Sequence, residues 1–424
     1  MLRWTLKGPA RSRSPQIHSS QSNAPNRGGS DTGDLEGKSS RTGALISVHQ
    51  TGRPRWTPRD YGALALQGYA RNPIVYRSIR MISEAAASAT VYCLTKGERL
   101  TEHPVLDLLH HPNERQDGAT WLESLYGHLL VSGNAYVEAV FGASSLRELH
   151  CLRPDRMKVV PGPNGWPDAY DYTIGNKAVR FHQNEEGTLV PPILHITLFH
   201  PHDDHYGLSP LQAAQTSLDV HNAAASWNKA LLDNSARPSG ALVYAASEAG
   251  NLTDEQFERL KKELEDGYQG AMNAGRPLLL EGGLDWKSMS LSPRDMDFID
   301  AKNSAAREIA LAFGVPPMLL GIPGDNTYSN YAEANRAFWR QTVLPLASRC
   351  LQNIARWLSP AYGEPFDLKI DLDLISALAS EREALWNRVG NASFLTENEK
   401  RTAVGYSSID ESVGPDGIAG EGGK

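Results

Sequence analysis

The region Pro293–Leu358 limits the possible folds most, because it places a strong helix stop between two helical patterns. The first pattern covers Asp295–Phe313, and it is followed by Gly314 and then by two consecutive prolines. Glycine commonly ends a helix and proline prevents it from resuming, so the stop is well defined. A polar loop over Ile322–Ser329 follows. The sequence therefore predicts two helices joined by a polar loop that contains no catalytic motif.

The second helix of this region is predicted to begin at Asn330, because Glu333 three residues later approximates a capping box. It extends to Leu358, which corresponds to roughly 42 Å at 1.5 Å per residue. Pro345 lies inside the pattern and removes one backbone hydrogen bond. A kink is therefore expected near Thr342–Leu344.

Composition indicates a globular chain that divides into two or three folding units. The 424 residues are 40% hydrophobic, enough for a sizeable core. Three widely spaced cysteines, Cys93, Cys151 and Cys350, argue against a disulfide framework and favour a reducing cytoplasm. The N-terminal residues lack the pattern of a signal peptide. No run of about 18 apolar residues occurs, so no transmembrane helix is expected.

Charge is distributed unevenly along the chain. Residues 1–60 contain ten Lys/Arg and four Asp/Glu and are rich in Ser, Gly and Pro, which predicts a disordered basic arm. This arm either contacts DNA or a partner, or is a solvated extension without a fixed role. The other residues contain 32 Lys/Arg and 45 Asp/Glu, a net charge of −13. Proteins that grip duplex DNA usually have the opposite sign, so the acidic body is compatible with a conduit and not with a clamp.

Short helices and strands alternate after about residue 64. The spacing of apolar residues predicts helices over Pro73–Ala87 and Ala119–Val131. Period-two alternation predicts strands over Ala89–Leu94, Tyr136–Phe141 and Met157–Val160. This mixture is typical of an α+β unit, which extends to about residue 208.

An alanine-rich helix over Leu211–Asp233 precedes a compact insert, Ala241–Leu291. The insert is predicted to contain a helix that begins at Thr253 and three strands. These strands cover Ala241–Tyr244, Pro277–Leu280 and Leu284–Leu291. Residues 251–300 have a net charge of −5, from eleven acidic and six basic residues, and part of this acidic surface is expected to face a pore.

The end of the chain is predicted to contain three further elements and a frayed tail. The elements are a strand over Phe366–Leu372, a helix over Leu374–Val389 and a short helix opened by Thr396-Glu-Asn-Glu399. Five glycines in residues 406–424 indicate a flexible tail.

One cluster of residues has the composition of a metal site. It consists of His195, His200, His202, Asp203, Asp204 and His205. A zinc site needs three or four converging ligands, and a metal-dependent hydrolase also needs a base near the bound water. The spacing fits no zinc signature, and neighbours in an extended segment point to opposite faces. A polar turn is therefore the preferred interpretation, and a metal-dependent hydrolase is the alternative.

A second acidic group lies on the strand near the C-terminus. Asp367, Asp371 and Asp373 share one face of the predicted strand and have the residue type of a magnesium-dependent nuclease site. Lys369 lies between them, where its charge would repel a cation. A solvated strand edge is the preferred interpretation. No phosphate-binding loop or activated nucleophile pattern is present in the sequence, so we expect no enzymatic activity and no cofactor.

Several segments together resemble the portal proteins of tailed bacteriophages of the HK97 type. The resemblance covers roughly residues 65–405, and the matching blocks occur in the family order. These blocks are Asn72–Ile79, His103–Leu109, Gly133–Val137, Leu152–Asp155, Tyr206–Leu211, Phe313–Gly321, Asn326–Glu333 and the pair Leu344-Pro345. Gene transfer particles of bacteria use the same family, and the sequence does not separate the two cases.

The resemblance implies a portal fold with an α/β wing, a two-helix stem, a small α/β clip, a kinked long helix and a helical crown. It divides the chain into a disordered basic arm (1–60), wing (61–208), first stem helix (209–236), clip (237–292), second stem helix (293–314), tunnel-loop region (315–330), long kinked wing helix and strand (331–373), crown (374–405) and flexible tail (406–424).

The resemblance also implies a function and a set of partners. The protein would be a non-enzymatic subunit of a ring, with twelve copies in the family, at one vertex of a virion capsid made of major capsid protein. The ring would be assembled in the bacterial host cytoplasm, and no membrane would be among its partners. Double-stranded DNA would pass through it, driven by the large terminase subunit, and a head–tail connector would dock later.

The implied site residues fall into three groups. The DNA-facing tunnel loop comprises Asp325, Asn326, Thr327, Tyr328 and Ser329. The partner-docking surface of the clip comprises Leu280, Glu281, Gly282, Gly283, Asp285 and Trp286. The helix kink is at Pro345.

Overall fold

The structure is a computed structural model, and it describes most of the chain between residues 56 and 409. The described residues are 56–142, 145–184, 188–233, 240–244, 253, 255, 258, 259, 262, 284–288, 298–323 and 328–409. The predictions for residues 1–55 and 410–424, for most of the insert helix, and for the strand at Pro277–Leu280 lie outside these residues.

Helices supply most of the described structure. The α-helices are α1 (Tyr61–Leu64), α2 (Pro73–Ala87), α3 (Pro104–His110), α4 (Gly118–Ser132), α5 (Pro210–Ala213), α6 (Gln215–Asp233), α7 (Phe298–Phe313), α8 (Tyr328–Phe338), α9 (Leu344–Tyr362), α10 (Ala379–Gly390) and α11 (Glu397–Val404). Helix α2 has the predicted bounds, and α4 extends its prediction by one residue at each end. No helix within the described residues is long and apolar enough to cross a membrane.

The strands form small antiparallel sheets. They are β1 (Val91–Thr95), β2 (Glu98–Leu100), β3 (Asn134–Phe141), β4 (Leu146–Leu152), β5 (Met157–Pro161), β6 (Pro167–Ile174), β7 (Lys177–His182), β8 (Ile193–Thr197), β9 (Gly240–Tyr244), β10 (Leu284–Ser288) and β11 (Asp367–Ile370). Their orders are β11-β1-β2, β4-β3-β8, β5-β6-β7 and β10-β9. The pairing of β1 with β11 brings residues nearly 280 positions apart into one sheet.

The main hydrophobic core forms where α4 packs against α2 and α9. Trp121, Leu125 and Leu129 repeat along α4 and are fully buried. The same core includes Ile79 of α2 and Ile354 of α9. Spacing of three and four residues places such side chains on one face of a helix, which is why the sequence predicts α2 and α4 well. A smaller core lies between β3 and the β5-β6-β7 sheet and contains Tyr136 and Tyr170.

The predicted helix Leu211–Asp233 is interrupted. Helix α5 ends at Ala213, and α6 starts at Gln215 and runs to Asp233. Ala214 between them departs from helical geometry, with ψ of 9°. Ser209 caps α5 by accepting a hydrogen bond from the Gln212 backbone N–H at 2.9 Å. Ala213, Ala214 and Gln215 all favour helix, so local propensity gave no sign of the break.

The long helical segment is longer than predicted and has a π-helical turn in its middle. It comprises α8, a π turn over Trp339–Val343, and α9, so it begins before Asn330 and ends after Leu358. Pro345 is in the first turn of α9, directly after the π turn. A π turn lets the helix accommodate a residue that has no N–H to donate. The bend at Pro345 itself stays a prediction.

The C-terminal helices differ from the prediction at their start. Helix α10 begins at Ala379, not at Leu374, and two 3₁₀ turns precede it. Helix α11 begins where predicted, and Thr396 and Glu399 form a complete capping box. The chain after α11 is held in place, because Ser407 Oγ accepts a hydrogen bond from the Arg99 backbone N–H at 2.7 Å. Residues 406–409 therefore do not belong to the predicted flexible tail.

The start of the described chain is also held to the fold. The Thr57 backbone N–H donates to Asp219 Oδ2 at 3.0 Å, and the Arg59 guanidinium donates to Gln215 at 3.2 Å. Both partners lie on α6. Residues 56–60 are thus fixed on α6, which corrects the predicted C-terminal boundary of the basic arm.

Candidate functional site

The candidate site is the connection between α7 and α8. It follows α7, which packs antiparallel to α6. Helix α7 ends at Gly314, whose φ of +68° places it in the left-handed region. The Val315 N–H then donates to the Ala310 carbonyl at 2.9 Å. This arrangement is a glycine C-cap, and it confirms the helix stop expected from the sequence. A 3₁₀ turn over Pro317–Leu320 follows and ends at Gly321, also with positive φ.

The N-terminal side of the connection is anchored on α7. Ile322 is 4% exposed and packs against Ala306 and Ala310. The Arg307 guanidinium donates a hydrogen bond to the Pro323 carbonyl. These contacts hold the chain against the C-terminal half of α7 up to Pro323.

A second anchor joins the end of α7 to the π turn of the long helix. The Thr342 hydroxyl donates to the Gly314 carbonyl at 2.6 Å. A Cβ atom added at Gly314 would lie 2.7 Å from Thr342 Oγ1. Glycine at this position therefore permits both the left-handed turn and the close approach of the two helices.

The loop between these anchors is shorter than predicted. Asp325, Asn326 and Thr327 lie outside the described residues. Tyr328 and Ser329, which were expected in the loop, form the first turn of α8. Ser, Thr and Asn all favour helix starts, so a pattern of these residue types does not define which one begins the helix.

Part of the predicted clip surface is described as a two-stranded ribbon. Asp285 and Trp286 lie on β10, opposite Val243 and Leu242 of β9. Leu280, Glu281, Gly282 and Gly283 lie outside the described residues. The ribbon pairs Gly240 with Ser288.

The described residues that position the connection are Arg307, Ile322, Thr342 and Gly314. Only Gly314 was singled out from the sequence. Ile322 is the last apolar residue before the polar residues Asp325–Thr327, which is the one local signal that could have indicated an anchor. The partners of Arg307 and Thr342 are backbone carbonyls, and no sequence pattern indicates which carbonyl a side chain will reach.

A scan against family models identifies residues 73–405 as a phage portal protein. The match begins at α2 and ends directly after α11. The chain belongs to the phage portal protein family.

Known proteins similar to this portal protein come from gene transfer agent particles and from a phage. The neck of an empty gene transfer agent particle, computed with C6 symmetry, contains a chain 56% identical to this one, with 84% of this chain and 96% of that chain covered and a TM-score of 0.67. The neck of a native gene transfer agent particle, computed with C12 symmetry, contains a chain that is 55% identical to this one. The coverage of both chains is the same as for the empty particle, and the TM-score is 0.65. The portal protein of Enterobacteria phage HK97 is 26% identical over 70% of this chain and 69% of its own length.

Two of the blocks that suggested the portal family meet in space. Gly133, which follows α4 with a φ of +77°, lies against Gly207. Asn134 joins both segments, because its Oδ1 atom accepts hydrogen bonds from the Gly207 N–H at 2.8 Å and from His195 Nε2 at 3.0 Å. The blocks Gly133–Val137 and Tyr206–Leu211 are thus two halves of one backbone crossing.

A third block joins α2 to α6. Asn72 caps α2, because its Oδ1 accepts from the backbone N–H groups of Ile74 and Val75. Its Nδ2 contacts His221 Nδ1 at 3.0 Å and Asn222 Oδ1 at 2.9 Å on α6. Asn72 is 1% exposed. One buried amide therefore both starts α2 and fixes its distance to α6.

The geometry does not support the metal-dependent hydrolase. His195 stacks on Tyr136 with ring centroids 4.2 Å apart, and burial lowers its pKa to about 3. Its Nε2 contacts Asn134 and its Nδ1 lies 3.4 Å from the Tyr170 hydroxyl, so both ring nitrogens have protein partners. Among the residues that the structure describes, no three His, Cys, Asp or Glu side chains are grouped to hold a metal ion.

The rest of that segment is a polar turn. Asp203 Oδ1 accepts hydrogen bonds from the backbone N–H groups of His205 and Tyr206 at 2.8 and 2.9 Å. These bonds hold the pKa of Asp203 below its usual value. His200 Nδ1 accepts from the His202 N–H at 3.1 Å. The segment orients Tyr206-Gly207 toward Asn134, which is the structural role preferred from the sequence.

The three aspartates near the C-terminus have separate partners. Asp367 lies 3.7 Å from Lys369, as expected from their position on β11. Strand β11 ends at Ile370, and Asp371 is buried beside Arg99, so it is not on a solvated strand edge as predicted. Asp373 forms two hydrogen bonds with Arg382, at 2.6 and 3.0 Å. Of these pairs, Asp373 with Arg382 attaches α10 to the segment that follows β11.

Acid should weaken this attachment through Asp373. The hydrogen bonds from Arg382 hold the pKa of Asp373 below its usual 3.8. Such a carboxylate contributes stability that is fully present above the unfolded pKa and is lost as pH falls through the folded pKa. We expect the wild-type protein to melt at a higher temperature than Asp373→Asn above about pH 5. The difference should shrink as pH falls below the usual carboxyl pKa of 3.8.

Calorimetry of both proteins across this pH range measures the effect. Lys96→Ala, which removes the exposed pair with Glu364, serves as the control and should change the melting temperature little. A melting difference between wild type and Asp373→Asn that stays constant with pH would contradict the assignment.

Proposed function

We propose that this protein is the portal subunit of a tailed phage or of a phage-like gene transfer particle. Copies close into a ring through which double-stranded DNA enters the particle and later leaves it. The observation that carries the proposal is the family match over residues 73–405, within which α6, α7 and an anchored polar connection occur in the portal order.

The ring is proposed to contain twelve copies. The support is the similarity to a chain in a neck structure computed with C12 symmetry. Closure of a ring needs heterologous contacts, in which one surface of a copy meets a different surface of the next. The protein acts by geometry in this proposal and catalyses no reaction.

The connection between α7 and α8 is proposed to narrow the channel. The Pro323 carbonyl is bound by Arg307 of α7 and Tyr328 is the first residue of α8, so only residues 324–327 lie between the two anchors. These residues are Gly, Asp, Asn and Thr, which offer hydrogen bonds without positive charge. Contacts to phosphate oxygens through such groups are weak and independent of sequence. These contacts would steady the DNA and still let it slide. Residues 324–327 contain no Lys or Arg, so binding would not be strengthened by the release of counterions from the phosphates.

The insert is proposed to dock the partners that act outside the capsid. Asp285 and Trp286 on β10, with Leu280–Gly283, would meet the large terminase subunit during packaging and the head–tail connector afterwards. Major capsid protein would surround the ring at its vertex. The terminase would supply ATP hydrolysis, since the sequence of the portal protein contains no phosphate-binding loop.

Purified protein imaged by electron microscopy tests the assembly directly. Closed rings with a central channel are expected. A protein that stays monomeric across a wide range of concentration and salt, in the absence and presence of DNA, would overturn the proposal.

Deletion of Asp325–Thr327 tests the role of the connection. Tyr328 and Ser329 are left in place because they belong to α8. Rings should still form, since Ile322, Arg307 and Thr342 keep their contacts, whereas the yield of DNA-filled particles should fall at least about tenfold. Replacing the three residues by Gly-Ser-Gly separates loop length from side-chain chemistry. Full packaging by the deletion variant would remove the channel role from this loop.

A further inference from the structure

The long helical segment is positively charged in a chain whose body is acidic. Residues 334–363 contain four arginines, Arg336, Arg340, Arg349 and Arg356, and no Lys, Asp or Glu. Their net charge is therefore +4, whereas residues 61–424 together have a net charge of −13. A stretch of one sign within a body of the other sign creates a local potential that attracts a partner of opposite charge.

Two of the four arginines have no partner within the described part of the chain. Arg336 and Arg340 form ion pairs with glutamates. Arg349 and Arg356 are both exposed, and neither guanidinium group forms an ion pair or a hydrogen bond with a described residue. Their charges are therefore available to a molecule outside the fold.

These two arginines lie on the solvent face of α9. Arg349, Gln352 and Arg356 are exposed and are spaced by three and four residues, so they form one row on the helix surface. Ile354 and Leu358 of the same helix are buried in the main hydrophobic core. The three exposed residues, named here the α9 row, therefore face away from the core. Seven residues separate its two arginines, which corresponds to roughly 10 Å along the helix.

The surroundings of the α9 row lack the apolar groups that anchor a protein partner. In the stretch 332–373, all of which the structure describes, no Leu, Ile, Val, Met or aromatic side chain is exposed. Protein interfaces have an apolar centre with aromatic anchors inside a polar rim. A phosphate backbone needs no such anchor, because guanidinium and amide N–H groups donate directly to its oxygens. The chemistry of the α9 row therefore favours nucleic acid over protein.

We infer that the α9 row binds the phosphate backbone of duplex DNA. Charges of one strand follow each other every 3.4 Å or so along the duplex axis, so arginines roughly 10 Å apart reach different phosphates. Gln352 lies between them and donates a hydrogen bond without adding charge. Two phosphate contacts per copy give an attachment that is weak, sensitive to salt and independent of base sequence. The inference rests on the proposed function only for the source of the DNA, and the surface is distinct from residues 324–327.

The double variant Arg349→Ala/Arg356→Ala tests the contact in the full-length assembled protein. Fluorescence anisotropy measures binding of a labelled duplex of about ten base pairs, which is roughly as long as α9, at several salt concentrations. The Kd at low salt should rise at least about tenfold, and the slope of log Kobs against log salt concentration should become less negative by about 2. Arg349→Lys/Arg356→Lys should retain most of the affinity, since lysine binds phosphate as a point charge.

The double variant Arg115→Ala/Arg388→Ala is the matched control. It removes two other exposed arginines, so it changes the net charge by the same amount. Its affinity for the duplex and its salt slope should remain those of wild type. Because all replaced side chains are exposed, the far-ultraviolet circular dichroism of each variant should match that of wild type.

Three results would overturn the inference and leave the proposed function intact. They are wild-type rings that do not bind the duplex, an unchanged affinity of Arg349→Ala/Arg356→Ala, and an equal loss of affinity in the control. Loss of ring assembly by Arg349→Ala/Arg356→Ala, with normal rings in the control, would assign the α9 row to a contact between copies and would also overturn it. A wild-type protein that forms no ring would instead overturn the proposed function.

Discussion

Replacing Gly207 by alanine should destabilise the protein by about 3 kcal/mol or more and remove most soluble material. A Cβ atom at this position would lie 2.1 Å from the Gly133 carbonyl oxygen and 2.7 Å from the Leu198 nitrogen. Both are backbone atoms, since Gly133 directly follows α4 and Leu198 directly follows β8. Neither atom can move without breaking the crossing. The same shift would pull the Gly207 N–H from Asn134, which also holds His195.

Chemical denaturation of the purified variant, or its soluble yield when purification fails, measures this effect. Gly390→Ala is the matched control, because a Cβ at that helical glycine meets nothing within 4 Å. The control should be neutral or slightly stabilising, since alanine is the better helix former. A Gly207→Ala protein that unfolds at the wild-type denaturant concentration would contradict the close approach at this crossing.

Replacing Asn72 by alanine should cost about 3 kcal/mol, the next largest effect. Loss of the cap on α2 accounts for about 1 kcal/mol. The remainder comes from the partners left behind, because His221 Nδ1 and Asn222 Oδ1 would be deprived of their hydrogen bonds from Asn72. Burial already lowers the pKa of His221, so protonation at neutral pH would not relieve the loss.

Asp117→Ala provides the comparison for a cap alone. Asp117 caps α4 by accepting from the Thr120 N–H at 2.8 Å, and its side chain is exposed. Its removal should cost only about 1 kcal/mol. Equal destabilisation of the two variants in denaturant titrations would show that the contacts of Asn72 with α6 contribute nothing.

Elements with strong local signals were well predicted. The prediction of α2 succeeded because Asn72-Pro73 marks its start and buried residues recur every three or four positions. Helix α11 succeeded because its capping box is complete in the sequence. The order of the family blocks identified the portal fold, which the family match and the structural similarities then confirmed.

Elements without such signals were predicted less well. The break at Ala214 lies in a run of residues that all tolerate helix. The start of α8 at Tyr328 and of α10 at Ala379 are displaced because several neighbouring residues are equally good first residues. The predictions for the tunnel loop, the clip surface and the kink at Pro345 stay predictions.

By itself, the amino-acid order determined the helices with strong local signals, such as α2, α4 and α11, because periodicity, caps and glycine or proline stops act over a few residues. It also determined the acidic charge of the body and the absence of a phosphate-binding motif. Only the tertiary structure decided that Gly133 meets Gly207, that Asn72 reaches α6 and that Thr342 holds the end of α7. These contacts join residues 28 to about 150 positions apart, and backbone carbonyls and small side chains carry no local pattern that identifies their partners.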